Sequence, residues 1–217
     1  MIRIVESKFI SSAVYQDAYP ETVWLDFAFV GRSNVGKSSM INTLTNRKLL
    51  AKIANKPGKT RLINFFDCKY QKVVEEETSA GFFTLVDLPG YGYAKVSKSE
   101  RDLWKRMING YFQSRKQLAG VVLLVDIRHE PDPKDAVMVK MLQDMKVNFM
   151  VACTKCDKIP AGKIPAAMKQ IKNAFRLNDT FLCEFSSVKR TGQEKILNWI
   201  ETIIETDVLN NRIIVHD

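Results

Sequence analysis

Three observations predict an α/β domain with a mostly parallel six-stranded sheet, one antiparallel edge strand and helices on both faces. Short apolar runs alternate with longer amphipathic ones, the rhythm of strands joined by crossover helices. Several of the apolar runs are nearly continuous rather than alternating, as strands covered on both faces are. Between Leu62–Tyr70 and Phe82–Asp87 there is no helical stretch, only a polar segment with Glu75-Glu76-Glu77. That is a hairpin, and it makes one strand antiparallel.

Taken in order, residues 1–23 read as an N-terminal extension before a core of about 24–207, all in one domain. Phe27–Val30 is the first strand and Ser38–Asn46 the first helix. The hairpin follows. Ser97-Lys98-Ser99-Glu100 is a capping box opening a helix whose apolar positions are Leu103, Trp104, Met107, Ile108, Tyr111 and Phe112. Gly120–Asp126 is the next strand. Asp132-Pro133 supplies a cap and a first-turn proline for a helix to Met145. Strand Asn148–Cys153, helix Ile164–Phe175, strand Phe181–Phe185 and helix Gln193–Asp207 complete the pattern. The last helix carries Ile196, Ile200, Ile203 and Ile204 on one stripe, and residues 208–217 form a short tail of which Asn210–Asp217 is expected to be frayed. Ligands of open α/β sheets bind beyond the carboxyl ends of the strands. Chemistry is therefore sought in the loops after Val30, Asp87, Asp126, Cys153 and Phe185.

Composition narrows the class. The 217 residues are 46% hydrophobic and 26% charged, within the globular range. The longest apolar run, Leu118 to Val125, falls short of the about twenty residues of a membrane span, and the amino terminus lacks a signal peptide's apolar core. A soluble, cytoplasmic monomer is expected. Cys153-Thr154-Lys155-Cys156 is a C-x-x-C without a second pair to complete a zinc site, so reduced thiols beside a strand end are expected. The 33 basic side chains exceed the 24 acidic ones, a net charge of +9 that favours polyanionic partners.

Gly31-Arg32-Ser33-Asn34-Val35-Gly36-Lys37-Ser38 matches the phosphate-binding loop in its required place between strand and helix. Its glycines let backbone N–H groups turn inward around an anion, and the helix N-terminus adds its dipole. Lys37 would reach the β- and γ-phosphates and the Ser38 hydroxyl would bind Mg²⁺. Asp87-Leu88-Pro89-Gly90 places an acid that can hold Mg²⁺ through water and an N–H for the γ-phosphate. Thr154-Lys155-Cys156-Asp157 reads the base. A carboxylate accepts two parallel hydrogen bonds from guanine, where adenine offers no donors, and the Lys155 stem can lie over the purine. Ser186-Ser187 could offer backbone N–H to the guanine carbonyl. In Asn55-Lys56-Pro57-Gly58-Lys59-Thr60-Arg61, Thr60 could close the Mg²⁺ shell when the γ-phosphate is present. A kinase on the same loop would carry an arginine-rich lid and has no need of T-K-x-D. A GTP-dependent interaction module with incidental hydrolysis stays open.

These residues, with Ile63-Asn64-Phe65-Phe66, Asp87–Lys95 as D-L-P-G-Y-G-Y-A-K, Asp126-Ile127-Arg128-His129 and Phe185-Ser186-Ser187, resemble the EngB (YihA/YsxC) group of bacterial GTPases. The resemblance covers about Phe9 to Glu205. It implies a Ras-like P-loop G domain that binds and slowly hydrolyses GTP. It also implies a role in assembling the large ribosomal subunit, with an associated role in cell division and septation. On the matching positions it implies GTP contacts at Gly31–Ser38, at Gly58, Lys59, Thr60, Arg61 and Leu62, and at Asp87, Leu88, Pro89 and Gly90. Further contacts are implied at Thr154, Lys155, Cys156 and Asp157 and at Phe185, Ser186 and Ser187, with Mg²⁺ on Ser38 and Thr60. The chain departs from the family pattern at Asn55-Lys56, at Glu130-Pro131-Asp132-Pro133 and in the acidic hairpin.

Two further expectations concern rate and partner. Tyr91 stands where Ras-like proteins carry the Gln that orients the attacking water, so hydrolysis should be slow. Asn34 holds the place of the potassium-ligating Asn in potassium-activated GTPases of similar loop pattern, or else it hydrogen-bonds within the loop. For ribosomal RNA, the segment after Asp87 offers Lys95, Lys98, Arg101, Lys105, Arg106, Arg115 and Lys116 against two acids.

Overall fold

The chain enters the sheet earlier than expected. In a computed structural model, which describes residues 1–51, 62–75, 77–92 and 97–209, Arg3–Ala13 is a strand, β1. The sheet therefore has seven strands rather than six. After β1 come β2 (Asp26–Gly31), α1 (Lys37–Leu44), β3 (Ile63–Val74), β4 (Glu77–Asp87), α2 (Lys98–Ser114) and β5 (Leu118–Asp126). Then follow α3 (Pro133–Asp144), β6 (Phe149–Thr154), α4 (Ile164–Phe175), β7 (Leu182–Glu184) and α5 (Gln193–Leu209). The strand order is β1-β3-β4-β2-β5-β6-β7. From β4 through β7 neighbours are parallel.

The hairpin is as expected. β3 and β4 pair antiparallel from Asn64 with Asp87 out to Val74 with Glu77. β1 adds antiparallel to β3, so the edge is an antiparallel pair. Two register shifts, at Ile4/Glu6 and Phe9/Ser11, explain why β1 is hard to read. Each bulge shifts the inward face by one residue, so the period of two never runs long enough to be seen.

Both faces of the sheet are covered, which is why the central strands are apolar throughout. Phe27 and Phe29 of β2 point into a core with Met40 and Ile41 of α1 and Ile196 and Ile200 of α5. Ala28 and Val30, one residue out of phase, join Met107 and Tyr111 of α2, Val139 and Leu142 of α3 and Ile171 of α4. Each fully buried large side chain contributes about 1.5–3 kcal/mol. The helix starts follow local chemistry. The Ser97 hydroxyl accepts from the Glu100 amide while the Glu100 carboxylate accepts from the Ser97 amide. Asp132 accepts from the Lys134 amide with Pro133 in the first turn of α3. Among the described residues no helix is long and apolar enough to cross a membrane.

Candidate functional site

Parallel strands ending side by side bring distant loops together at one edge of the sheet. The loop after β2 is the first of these. Asn34 (φ 61°) and Gly36 (φ 113°) are left-handed, and Gly36 caps α1, so the backbone curls back on itself before the helix begins. A Cβ on Gly36 would meet nothing, so its glycine answers to the backbone angle alone. Val35 is buried in the core beneath the loop. Its carbonyl accepts the Thr154 hydroxyl at 2.7 Å, so this threonine supports the loop from below.

Lys37 is buried, with Nζ 3.9 Å from Oδ1 of Asp87 at the end of β4. Burial pushes the Asp87 carboxyl above its ordinary range, while Lys37 and a hydrogen bond with Ser38 pull it back. Asp87 Oδ1 accepts no hydrogen bond, although it is buried. A buried carboxylate oxygen without a donor, beside a serine hydroxyl, is a hard-oxygen set that suits Mg²⁺. Among the described residues no cluster of three or more His, Cys, Asp or Glu side chains could hold a metal; a site with one carboxylate and one hydroxyl needs no such cluster.

The segment after Asp87 lies on the phosphate loop. The Tyr91 amide donates to the Gly31 carbonyl (3.2 Å) and the Ser33 amide to the Tyr91 carbonyl (2.9 Å). Gly90 permits this approach, since a Cβ there would stand 3.1 Å from the Ser33 nitrogen. Leu88 is core, and the Pro89 carbonyl accepts the Trp104 indole N–H at 2.8 Å. The Tyr91 side chain is 7% exposed; its hydroxyl donates to Asp135 of α3 at 2.6 Å and its ring packs edge-on against Trp104. Burial, with Asp135 adding to it, pushes this phenol up and keeps it protonated. Bound in this way, Tyr91 is not placed to orient a water.

At the end of β6, Lys155 is left-handed (φ 62°). Its ammonium donates to the Asn34 carbonyl (2.7 Å) and to Asp126 Oδ2 (2.8 Å). Asp126, which ends β5, also takes a two-pronged contact from Arg128. Burial pushes the Asp126 carboxyl up, but the hydrogen bonds from Arg128 and Lys155 outweigh it and hold it well below the usual range. Asp126 positions the lysine stem, a role that motif reading missed; its signal is an acid closing a buried strand. Asp157 Oδ1 accepts the Ser186 hydroxyl at 2.7 Å, which lowers its carboxyl below the ordinary value. The Ser186 amide donates to Thr191. That corrects one expectation, because this amide is not free for a base. The Ser187 amide meets no acceptor among the described residues. Phe185 is core, and its carbonyl accepts from the Cys156 amide, joining the two loops. All four cysteines are buried as free thiols, with burial pushing them up, Cys183 to about 12.

Other positions are less central. Arg32 turns away to pair with Asp132 at 2.9 Å, and Leu62 is exposed. Gly58, Lys59, Thr60, Arg61 and Lys95 lie outside the described residues. Lys98, Arg101, Lys105 and Arg106 are exposed on α2, the first three at one-stripe spacing. Arg115 is not a surface charge: it is buried against Asp26.

Residues 26–155 match a family described as "50S ribosome-binding GTPase". The probable GTP-binding protein EngB of Clostridium beijerinckii is 44% identical over 208 residues, 95% of this chain and 100% of that protein. Its namesake in Pediococcus pentosaceus is 45% identical over 191 residues, 88% of this chain and 92% of the relative. Two solved structures share the fold. One is a probable GTP-binding protein EngB, with TM-score 0.64 at 24% identity, covering 83% of this chain and 99% of that one. The other is Era in complex with MgGDPNP and nucleotides 1506–1542 of 16S ribosomal RNA, with TM-score 0.61 at 24% identity over 81% and 55%.

Proposed function

Since this chain belongs to the EngB family of GTP-binding proteins and is a GTPase, we propose that it is a Mg²⁺-dependent switch in assembly of the large ribosomal subunit. It would work as a cytoplasmic monomer, with effects on division and septation following from ribosome supply. The observation that carries the nucleotide reading is the convergence of Lys37, Asp87, Lys155 and Asp157 from three strand ends, those of β2, β4 and β6. Lys37 holds the phosphates while the loop amides surround them. Ser38 and Asp87 would hold Mg²⁺, with Thr60 as a further ligand, and the ion would neutralise charge on the β- and γ-oxygens. Asp157, already oriented by Ser186, accepts guanine's two donors, and the Lys155 stem covers the ring. The Ser187 amide, rather than that of Ser186, faces the guanine carbonyl. A pelleting assay with large-subunit precursors tests the switch: co-sedimentation should be stronger with a GTP analogue than with GDP, and equal recovery would refute it.

Tyr91, bonded to Asp135, is not available to orient water, which supports a slow intrinsic rate. Asn34 is exposed, and its carboxamide has no hydrogen-bond partner among the described residues. That favours the potassium reading over an internal hydrogen bond. Turnover should be faster in potassium than in sodium at equal ionic strength, and Asn34→Ala should remove the difference. Equal rates in both salts would end the potassium assignment and leave the GTPase intact.

We assign ribosomal RNA contact to the exposed Lys98, Arg101, Lys105 and Arg106 of α2, together with Lys95, which lies outside the described residues. With about four phosphate contacts, affinity should fall by about two orders of magnitude between 50 and 200 mM salt. Lys105→Glu with Arg106→Glu should weaken particle binding by about tenfold and spare GTP binding. Salt-insensitive association would count against this surface.

A further inference from the structure

Beside the loop that follows Asp87, α2 and α3 stand next to one another without closing over the space between them. Between them is a groove of about 490 Å³, within the range of about 300–1,000 Å³ typical of binding sites. Leu103, Trp104 and Met107 of α2 form one wall, and Val137, Met138 and Met141 of α3 the other. The spacing is i, i+4 on both helices, so each presents a continuous apolar stripe along the groove. Val137 is 69% exposed and ends the α3 stripe on the solvent side. Met141 is half-buried and adds an unbranched thioether that repacks around different shapes, whereas Met107 and Met138 are buried. The backbone of Pro89, Gly90 and Tyr91 lines one end.

Charge selects the occupant. Lys134 of α3 is exposed at the rim, and Arg101 and Lys105 of α2, shared with the surface proposed for RNA, line it as well, against Glu100 alone. An apolar trough with a basic rim complements a helix that has leucine-like side chains on one face and carboxylates beside them. Nucleic acid suits it less well, because methionine and valine offer base edges no hydrogen bonds. We propose that the α2/α3 groove docks an acidic amphipathic helix of a protein partner. The inference stands apart from the nucleotide assignment, since none of its apolar wall residues belongs to the phosphate or base loops.

A fluorescein-labelled synthetic helix with leucines at i, i+3, i+4 and i+7 and glutamates elsewhere tests it by anisotropy against the full chain. This helix should bind at least about tenfold more tightly than its leucine–lysine counterpart. Val137→Asp and, separately, Met141→Asp should each weaken it by about tenfold. Because Val137 is exposed, its variant should keep the parent's GTP turnover, which shows that the fold is intact. Lys134→Glu should narrow the preference between the two helices. Equal binding of the two helices, or undiminished binding by Val137→Asp, would overturn the proposal. So would loss of labelled oligouridine binding in Val137→Asp, which would assign the groove to RNA. Self-association of the parent chain that Val137→Asp abolishes would assign it to a second copy and overturn the proposal equally.

Discussion

Asp157→Asn should lose preference for GTP and gain affinity for xanthosine triphosphate. The parent carboxylate has lone pairs enough to accept the Ser186 hydroxyl on Oδ1 and two donors from guanine. In the amide, the oxygen stays with Ser186 and the NH₂ turns toward the base, where it opposes a guanine donor. An unpaired buried donor costs about 1–3 kcal/mol, more where the lost partner was charged, so GTP affinity should fall by about a hundredfold. Xanthine carries an oxo group in place of the exocyclic amine and would accept from that NH₂. Competition of both triphosphates against a fluorescent GDP derivative measures the exchange. Unchanged GTP affinity would remove Asp157 from the base pocket, whereas loss toward both nucleotides would indicate a disordered loop.

Arg115→Ala should destabilise the fold by about 3–5 kcal/mol, the cost of leaving a buried charge without its partner. Asp26, fully buried at the start of β2, accepts from Arg115 Nε at 2.7 Å and from the Tyr111 hydroxyl at 3.0 Å. The same guanidinium donates to the Pro20 carbonyl and the Thr22 hydroxyl, tying α2 to the chain that enters β2. Burial already raises the Asp26 carboxyl, and the hydrogen bond from Arg115 is the largest opposing influence. Without it the carboxyl rises further. A group raised on folding binds its proton more tightly in the native state, so its stabilisation is present at low pH and lost as pH rises. The deficit should therefore be smaller at pH 5 than at pH 8. Urea unfolding at the two values checks the sign, and adding Asp26→Asn should recover part of the loss. A deficit under about 1 kcal/mol, as for a surface pair, would show that this contact is not the anchor described.

The sequence by itself determined whatever depends on neighbours along the chain. α4 begins and ends at Ile164 and Phe175, as expected, and the capping box at Ser97 forms with both of its hydrogen bonds. The phosphate loop lies between a strand and a helix because glycine spacing and apolar periodicity are local properties. The tertiary structure decided everything that depends on a partner far away in the chain. Arg115 counts as one more surface cation until Asp26, 89 residues earlier, is packed against it. Tyr91 reads as a poor catalytic group, but only the packing of α3 shows it bound to Asp135, 44 residues later. Asp126 and Lys155 look like ends of separate strands until β5 and β6 bring them together. In β1 the bulges erase the local signal, and only pairing with β3 restores a register. The reason is the same in each case. Backbone periodicity and capping are set within a few residues, whereas the state of a charged or hydroxyl group depends on which chain folding places beside it.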